Sequence, residues 1–241
     1  MSDLPEQDND ARSLVDILLD AYAHGEFPMG DPHGPGVLFY TTDTRGVIPL
    51  DDPDVRPPSR LARTIRSQHF EFTTDADFEG VIRGCARART TDDETWINET
   101  IVTMYLMLHR EGHAHSIEAW RTDPATYQRA LVGGIYGVTL GSAFFGESMF
   151  HTPQPRLDDD TRHPLDGTDA SKACFFILVQ HLRARGFTLF DAQFPNEHIN
   201  TLGCTTIDAT SYQQRLDHAT QESACWLPFE PEKLIEQIAN R

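Results

Sequence analysis

From Arg12 onward, apolar residues return at every third or fourth position: Leu14, Ile17, Leu18, Ala21 and Tyr22. That period predicts a helix, stopped at Gly25 with Pro28 behind it. VLFYTT and GVIPL read as short strands around a turn-like Asp43-Thr44-Arg45-Gly46. The Pro- and Asp-rich stretch 51–58 reads as a boundary. SRLARTIRS follows as a helix with Ser59 as its expected N-cap. HFEFTT is then a strand with Phe70 and Phe72 on one face, and Phe78, Val81, Ile82 and Cys85 mark another helix. Asn98 is placed to cap a helix through Ile101, Met104, Tyr105 and Leu108, ended by Gly112.

Three strands come next, HAHSIEAW, GGIYGVTLG and SAFFGESMF, the last two joined by a hairpin turn at Gly141-Ser142. Residues 151–168 show no periodicity and read as a loop, functional or disordered at that length. DASKACFFILVQHLRARG is apolar around most of its circumference, so that helix is expected to be buried on several sides. TLFDAQF is a strand, and NEHINTLG and SYQQRLDHAT are helices. The order predicts an α+β fold: a core over residues 59–241 behind a small N-terminal unit at 12–58, with 1–11 as a disordered acidic tail.

Among 241 residues, 39% are hydrophobic, enough for a sizeable core. The formal charge of -17 argues on its face against nucleic acid. The distribution changes that picture. Lys172 and Lys233 are the only lysines, so nearly all the basic residues are Arg, the side chain suited to planar phosphate contacts. Arg60, Arg63 and Arg66 recur every three residues on one helix side, with Arg56 before them and Arg83, Arg87 and Arg89 after. A solvated charged face is the plain reading; such a concentration in an acidic chain weighs against it. No apolar run is long enough for a membrane span, and MSDLPEQDNDAR is unlike a secretory signal. Cys85, Cys174, Cys204 and Cys225 form no CxxC pair, so neither zinc nor a disulfide framework is indicated. A soluble cytoplasmic protein is expected.

Period two puts Asp191 and Gln193 on one face of their strand, and Glu147 lies on the strand FFGESMF. Each alone reads as a locally paired polar residue. Three together among Phe144, Phe145, Met149, Phe150, Phe190 and Phe194 are harder to dismiss, since each costs roughly 1–3 kcal/mol to bury unsatisfied. His113 and His115 lack a third metal ligand at a recognisable spacing and read as strand-end histidines. GGIYGVTLG fits no nucleotide loop, and GESMF fails the GxSxG spacing. Residues alone point to one polar cluster in an apolar lining and one arginine face.

These segments resemble the bacterial leucyl/phenylalanyl-tRNA–protein transferases. The likeness rests on AYAHGEFPM, DTRGVIPLDD, TWI with LHREGHAHSIEAW, LVGGIYGVTLGSAFFGESMF, DASK and FDAQF…H…LG, in order from about residue 14 to residue 216. The resemblance implies a GCN5-related acetyltransferase-like C-terminal domain. It also implies transfer of Leu, Phe or Met from aminoacyl-tRNA to an N-terminal Lys or Arg, marking the acceptor protein for degradation by the N-degron route. By the same resemblance, Glu147, Asp191 and Gln193 bind and orient the acceptor amine. Phe144, Met149, Phe175, Leu178, Phe190 and Ala192 line the donor side-chain pocket, and Trp96 stacks near the terminal adenosine. Arg60, Arg63 and Arg66 are expected on acceptor-stem phosphates. An activated ester needs no cofactor or metal, and none is expected; nor is a membrane, and the chain is expected to work as a monomer.

Three features depart from the family pattern: Phe39-Tyr40 where many members carry Trp-Tyr, the acidic insertion around Gln154–Gly167, and an overall charge unusually negative for a tRNA user. Two other readings accompany the principal one. A same-fold acyltransferase would use another acyl carrier, and a non-catalytic paralogue would only hold tRNA or N-terminal peptides. The acceptor site is expected to be acidic, without basic residues of its own.

Overall fold

The computed structural model describes residues 12–87 and 95–239. The expected tail at 1–11, and Arg89, lie outside these. The elements in chain order are α1 (Leu14–Ala23), β1 (Phe27–Gly30), β2 (Val37–Tyr40), β3 (Thr44–Ile48), α2 (Ser59–Arg66), β4 (Glu71–Thr74), α3 (Phe78–Cys85) and α4 (Glu99–Arg110). Then come β5 (Ala114–Thr122), β6 (Arg129–Leu140), β7 (Ala143–His151), α5 (Ala170–Arg185), β8 (Leu189–Asp191), α6 (Glu197–Asn200), β9 (Thr205–Asp208), α7 (Ala209–Gln221) and α8 (Pro231–Ala239).

A seven-stranded mixed sheet in the order β4-β5-β6-β7-β8-β3-β9 organises the chain, and β1 and β2 form a separate hairpin. All neighbours in the large sheet are antiparallel except β7 and β8. One core holds α5 with α2, α8 and residues such as Ile135, Phe144, Phe175 and Phe190. A second core holds α1, α3, α4 and α7 with Tyr22, Tyr105, Tyr136 and Phe145. Tyr136 and Phe145 leave the sheet on the opposite side from Ile135 and Phe144, as the period of a strand requires. The expected α+β architecture is therefore present. No helix among the described residues is long and apolar enough to cross a membrane.

Local signals account for most elements. Asn98 caps α4 by accepting from Ile101 N, and Gly186 ends α5 at φ +79°. Gly141 takes φ +61° in the β6–β7 hairpin. Ser59 is the first residue of α2, not its cap; Pro58 holds the cap position. The turn expected at 43–46 is instead strand. Thr44, Arg45 and Gly46 belong to β3, paired with β9 along Thr44↔Asp208, Arg45↔Ile207 and Gly46↔Thr206. An internal ion pair described below draws Arg45 inward and makes an extended backbone worthwhile there. Thus β3, from the expected N-terminal unit, sits inside the large sheet.

Candidate active site

β7 and β8 run parallel for three residue pairs, Ala143↔Leu189, Phe144↔Phe190 and Phe145↔Asp191, and separate beyond them. Two local irregularities open the fork. A bulge between Tyr136 and Gly137 sets Ser148 opposite Tyr136 and Gly146 opposite Gly137, leaving Glu147 without a partner residue on β6. On the other side β8 ends at Asp191, and Gln193 takes a left-handed conformation at φ +50°. Gly46 holds that turn: Ala192 N donates to Gly46 O and Gly46 N donates to Gln193 O, both at 2.8 Å. A non-glycine residue pinned in this region is a feature that clusters at functional sites.

Two cavities meet in the fork. The larger, about 320 Å³, is walled by Ile135, Met149, Phe175, Phe190 and Ile199, with Gly146, Ser148 and His198. The smaller, about 180 Å³, is walled by Phe27, Pro28, Met29, Trp96 and Phe194. Glu147, Ala192, Gln193 and Asn196 line both, so they stand at the passage between them.

Glu147 Oε1 accepts from the Tyr22 hydroxyl at 2.8 Å and from Gln193 Nε2 at 3.3 Å. The Tyr22 hydroxyl in turn lies 2.7 Å from that of Tyr105. Burial raises the Glu147 carboxyl to about 7, with the nearby Asp191 charge adding and the tyrosine hydroxyls and Arg45 opposing. Burial holds both tyrosines well above the usual phenol range, so they remain hydroxyl donors. Since the Gln193 amide nitrogen donates to Glu147, its carbonyl oxygen is the atom left to accept a bond from a substrate.

Asp191 stands apart from this arrangement. Its carboxylate meets Arg45 at two points, Nε to Oδ1 at 2.9 Å and Nη2 to Oδ2 at 2.6 Å. It also accepts from the Tyr212 hydroxyl and from Gln193 N, each at 2.8 Å. Asp191 lines neither cavity. The expectation that Asp191 and Gln193 share a face fails because the strand ends between them and the left-handed turn redirects Gln193. The expectation of a site without basic residues also fails, because Arg45 neutralises Asp191. The Arg45 guanidinium lies over the Phe27 and Tyr212 rings, 4.7 and 4.4 Å from their centroids.

Of the residues expected in the donor pocket, Met149, Phe175, Phe190 and Ala192 line the larger cavity, while Phe144 and Leu178 do not. Phe144 is packed between Phe190 and Trp226 in the core. Leu178 lies one helical turn beyond Phe175 on α5 and is buried in the same core. Trp96 lines the smaller cavity. Arg60, Arg63 and Arg66 are exposed on α2, away from the fork lining. Sequence reasoning missed Tyr22, Arg45, Tyr105, Ile135 and Ile199. Ile135 was within reach, because the period of β6 sets it opposite Met149.

No group of three or more His, Cys, Asp or Glu among the described residues is arranged to hold a metal ion. His115 instead lies 2.7 Å from an Asp75 carboxylate oxygen and stacks on Trp226.

Comparison with known proteins adds identity to this geometry. The FemX crystal structure superposes with a TM-score of 0.51 over 80% of this chain and 66% of that one, at 9% identity, a likeness of fold. The leucyl/phenylalanyl-tRNA–protein transferase of Rhodopseudomonas palustris (strain TIE-1) is 40% identical over 92% of this chain and 90% of its own. That of Pelodictyon phaeoclathratiforme is 41% identical over 88% and 98%. The family model for leucyl/phenylalanyl-tRNA protein transferase matches residues 47–217. With a match of that extent and relatives this similar along nearly their whole length, the chain belongs to the leucyl/phenylalanyl-tRNA–protein transferase family.

Proposed function

We propose that this protein is an aminoacyltransferase that moves Leu, Phe or Met from aminoacyl-tRNA to the N-terminal Lys or Arg of acceptor proteins, marking them for degradation through the N-degron route. The observation that carries this reading is the meeting of an apolar cavity with a carboxylate raised to about 7 and a spare amide carbonyl, Glu147 and Gln193. The donor side chain occupies the larger cavity, and Trp96 in the smaller one stacks on the terminal adenosine. Arg60, Arg63 and Arg66 contact acceptor-stem phosphates.

The ester carbonyl is already activated, so the reaction needs a neutral amine in the right place. The Gln193 carbonyl oxygen accepts from the acceptor amine and aligns it. Glu147, matched to an α-amino group near 7.7–8.0, takes a proton from the attacking nitrogen. As the new C–N bond forms and the ester C–O bond breaks, that proton passes to the departing ribose oxygen. Asp191 acts through Arg45 and the Gln193 backbone, as a positioning residue.

The fork of β7 and β8 supports a GCN5-related acetyltransferase-like description of the C-terminal part. The division near residue 58 is proposed as a division of role, with 12–58 supplying Tyr22, Arg45, Gly46 and the Phe27–Met29 wall of the smaller cavity, and 59–241 the reacting groups and the larger cavity. One chain supplies the whole site, which supports a monomer, and charged tRNA as donor supports a cytoplasmic location.

Incubation with labelled Leu-, Phe- and Met-tRNA and a peptide beginning with Arg should place label on the peptide. Binding of charged tRNA without label transfer would favour a non-catalytic paralogue. Transfer from another acyl carrier alone would favour the same-fold acyltransferase.

A further inference from the structure

The insertion between β7 and α5 is closed by one carboxylate. Asp166, 4% exposed, accepts through Oδ1 from Gln154 N at 3.0 Å, Thr168 N at 3.1 Å and the Thr168 hydroxyl at 2.8 Å. Both ends of the loop are thereby tied to the same oxygen. Asp166 Oδ2 lies 3.3 Å from Arg162 Nε. The loop so held carries Arg162 back towards the end of β5, where its Nη1 comes within 3.4 Å of His69 Nε2.

At that point it meets Arg121, whose Nη1 lies against the His69 ring, 3.0 Å from Nδ1. Arg121 is half-buried, and among the described residues no carboxylate hydrogen-bonds to it. His69 supplies no negative charge. Burial first, then Arg121 and Arg162, hold its ring below the ordinary imidazole range, so it is neutral at physiological pH. Burial, and Arg162 beyond it, also lower Arg121 from the ordinary guanidinium range, with Asp166 opposing. Among the described residues Asp166 is the one carboxylate at hand for two guanidinium groups, and three donors besides Arg162 already engage it.

Folding therefore spends a buried carboxylate on bringing like charges together, an arrangement that an anion resolves. We infer that Arg121, Arg162 and His69 form a subsite for a phosphodiester of the donor RNA, assembled by the insertion. The inference rests on the aminoacyl-tRNA reading above and adds a contact to it. His69 lies just past the end of α2, beyond the left-handed Gln68 at φ +52°, so the cluster is separate from the helical row Arg60, Arg63 and Arg66. A phosphodiester of the donor RNA and a free phosphate share the chemistry such a cluster recognises, and the test separates the two.

The test measures aminoacyl-tRNA affinity across a salt series for the parent protein, Arg162→Gln and Arg121→Gln, alongside transfer from a short 3′-aminoacyl-adenosine donor without a stem. Each variant should lower the slope of log affinity against log salt by about one unit. Transfer from the short donor should be unchanged. Arg162 lies in an exposed loop, so its variant tests the site without disturbing the fold. Parent-like salt slopes would overturn the inference, as would equal damage to transfer from the short donor. Binding of inorganic phosphate that both variants lose, with RNA slopes intact, would reassign the cluster to a free anion. A parent protein that binds no tRNA would remove the underlying reading itself, an outcome distinct from all of these.

Discussion

The Tyr22 hydroxyl on the first helix donates to Glu147 on the seventh strand, across 125 residues of sequence. A hydroxyl donor favours the charged carboxylate, while burial favours the neutral acid, and the balance lies at about 7. If Glu147 takes the amine proton, transfer should rise with pH through about 7 and level off only above about 8, once the acceptor amine is also neutral. Tyr22→Phe removes the donor, so the limb should move to higher pH with modest loss on the plateau. A single-turnover pH profile decides the matter. A limb unmoved in Tyr22→Phe would mean that Glu147 does not set it.

Glu147→Gln should separate activity from stability. The folded value of about 7 lies above the unfolded glutamate value of about 4.3. The stability that Glu147 contributes is thus fully present below about pH 4.3 and is lost as pH rises through 7. At pH 8 the amide variant should be more stable than the parent, on the order of 1–3 kcal/mol, while transfer falls by roughly 10²–10⁴. Urea unfolding at pH 5 and pH 8 measures the first effect, since the difference should shrink at the lower pH.

Breaking the Arg45–Asp191 pair should cost far more than an exposed ion pair. Both side chains are sealed, at 1% and 0% exposure. Arg45→Met leaves a buried carboxylate unpaired, and Asp191→Ala leaves the guanidinium so, each costing about 3–5 kcal/mol. Replacing both by apolar residues should cost less than the two single changes combined. Denaturation midpoints for the cycle give the coupling, and an Asp191→Ala protein as stable as the parent would reassign Asp191 to direct chemistry.

Donor choice should follow the shape of the larger cavity. Its Phe175, Phe190, Ile135 and Met149 walls offer no partner for a charge, so charged donors are rejected. β-Branched donors should transfer less well than Leu, by no more than roughly 1–3 kcal/mol. A Cβ added at Gly146 would fall 2.7 Å from a Phe190 ring carbon. Gly146→Ala should therefore push that ring and reduce Phe transfer more than Leu transfer. Equal losses for both donors would show that the ring is not part of the wall.

The α2 arginines have a simpler signature. Arg60, Arg63 and Arg66 are exposed. Arg63→Glu with Arg66→Glu should weaken tRNA binding and flatten its salt dependence by about two units. Unchanged affinity would leave α2 as a solvated face.

The helices and most strands were legible because their signals are local: the apolar period of α1, the Asn98 cap, the Gly112 stop and the hairpin at Gly141. Glu147 and Gln193 stood out as polar groups among aromatics. What escaped was every feature made by distant partners. Arg45 read as part of a turn because nothing beside it in the chain announces a carboxylate 146 positions away. Tyr22 and Tyr105 read as apolar helix positions, since the period records where a ring points and not what its hydroxyl meets. The period-two argument for Asp191 and Gln193 assumed a strand that continues, whereas the chain turns left-handed at Gln193. Likewise the insertion looked structureless because a single Asp166, not a periodic pattern, closes it.

The fork between β7 and β8 has a consequence for how this molecule can be altered. Its width comes from main-chain geometry, a bulge on one side and a left-handed residue on the other. The side chains of the cavity are upholstery on that frame. Engineering a new donor preference is then a matter of re-lining the walls at Ile135, Met149 or Ile199, while the reacting groups keep their places. The Arg45 pin offers no such latitude, because it holds the turn that sets the frame.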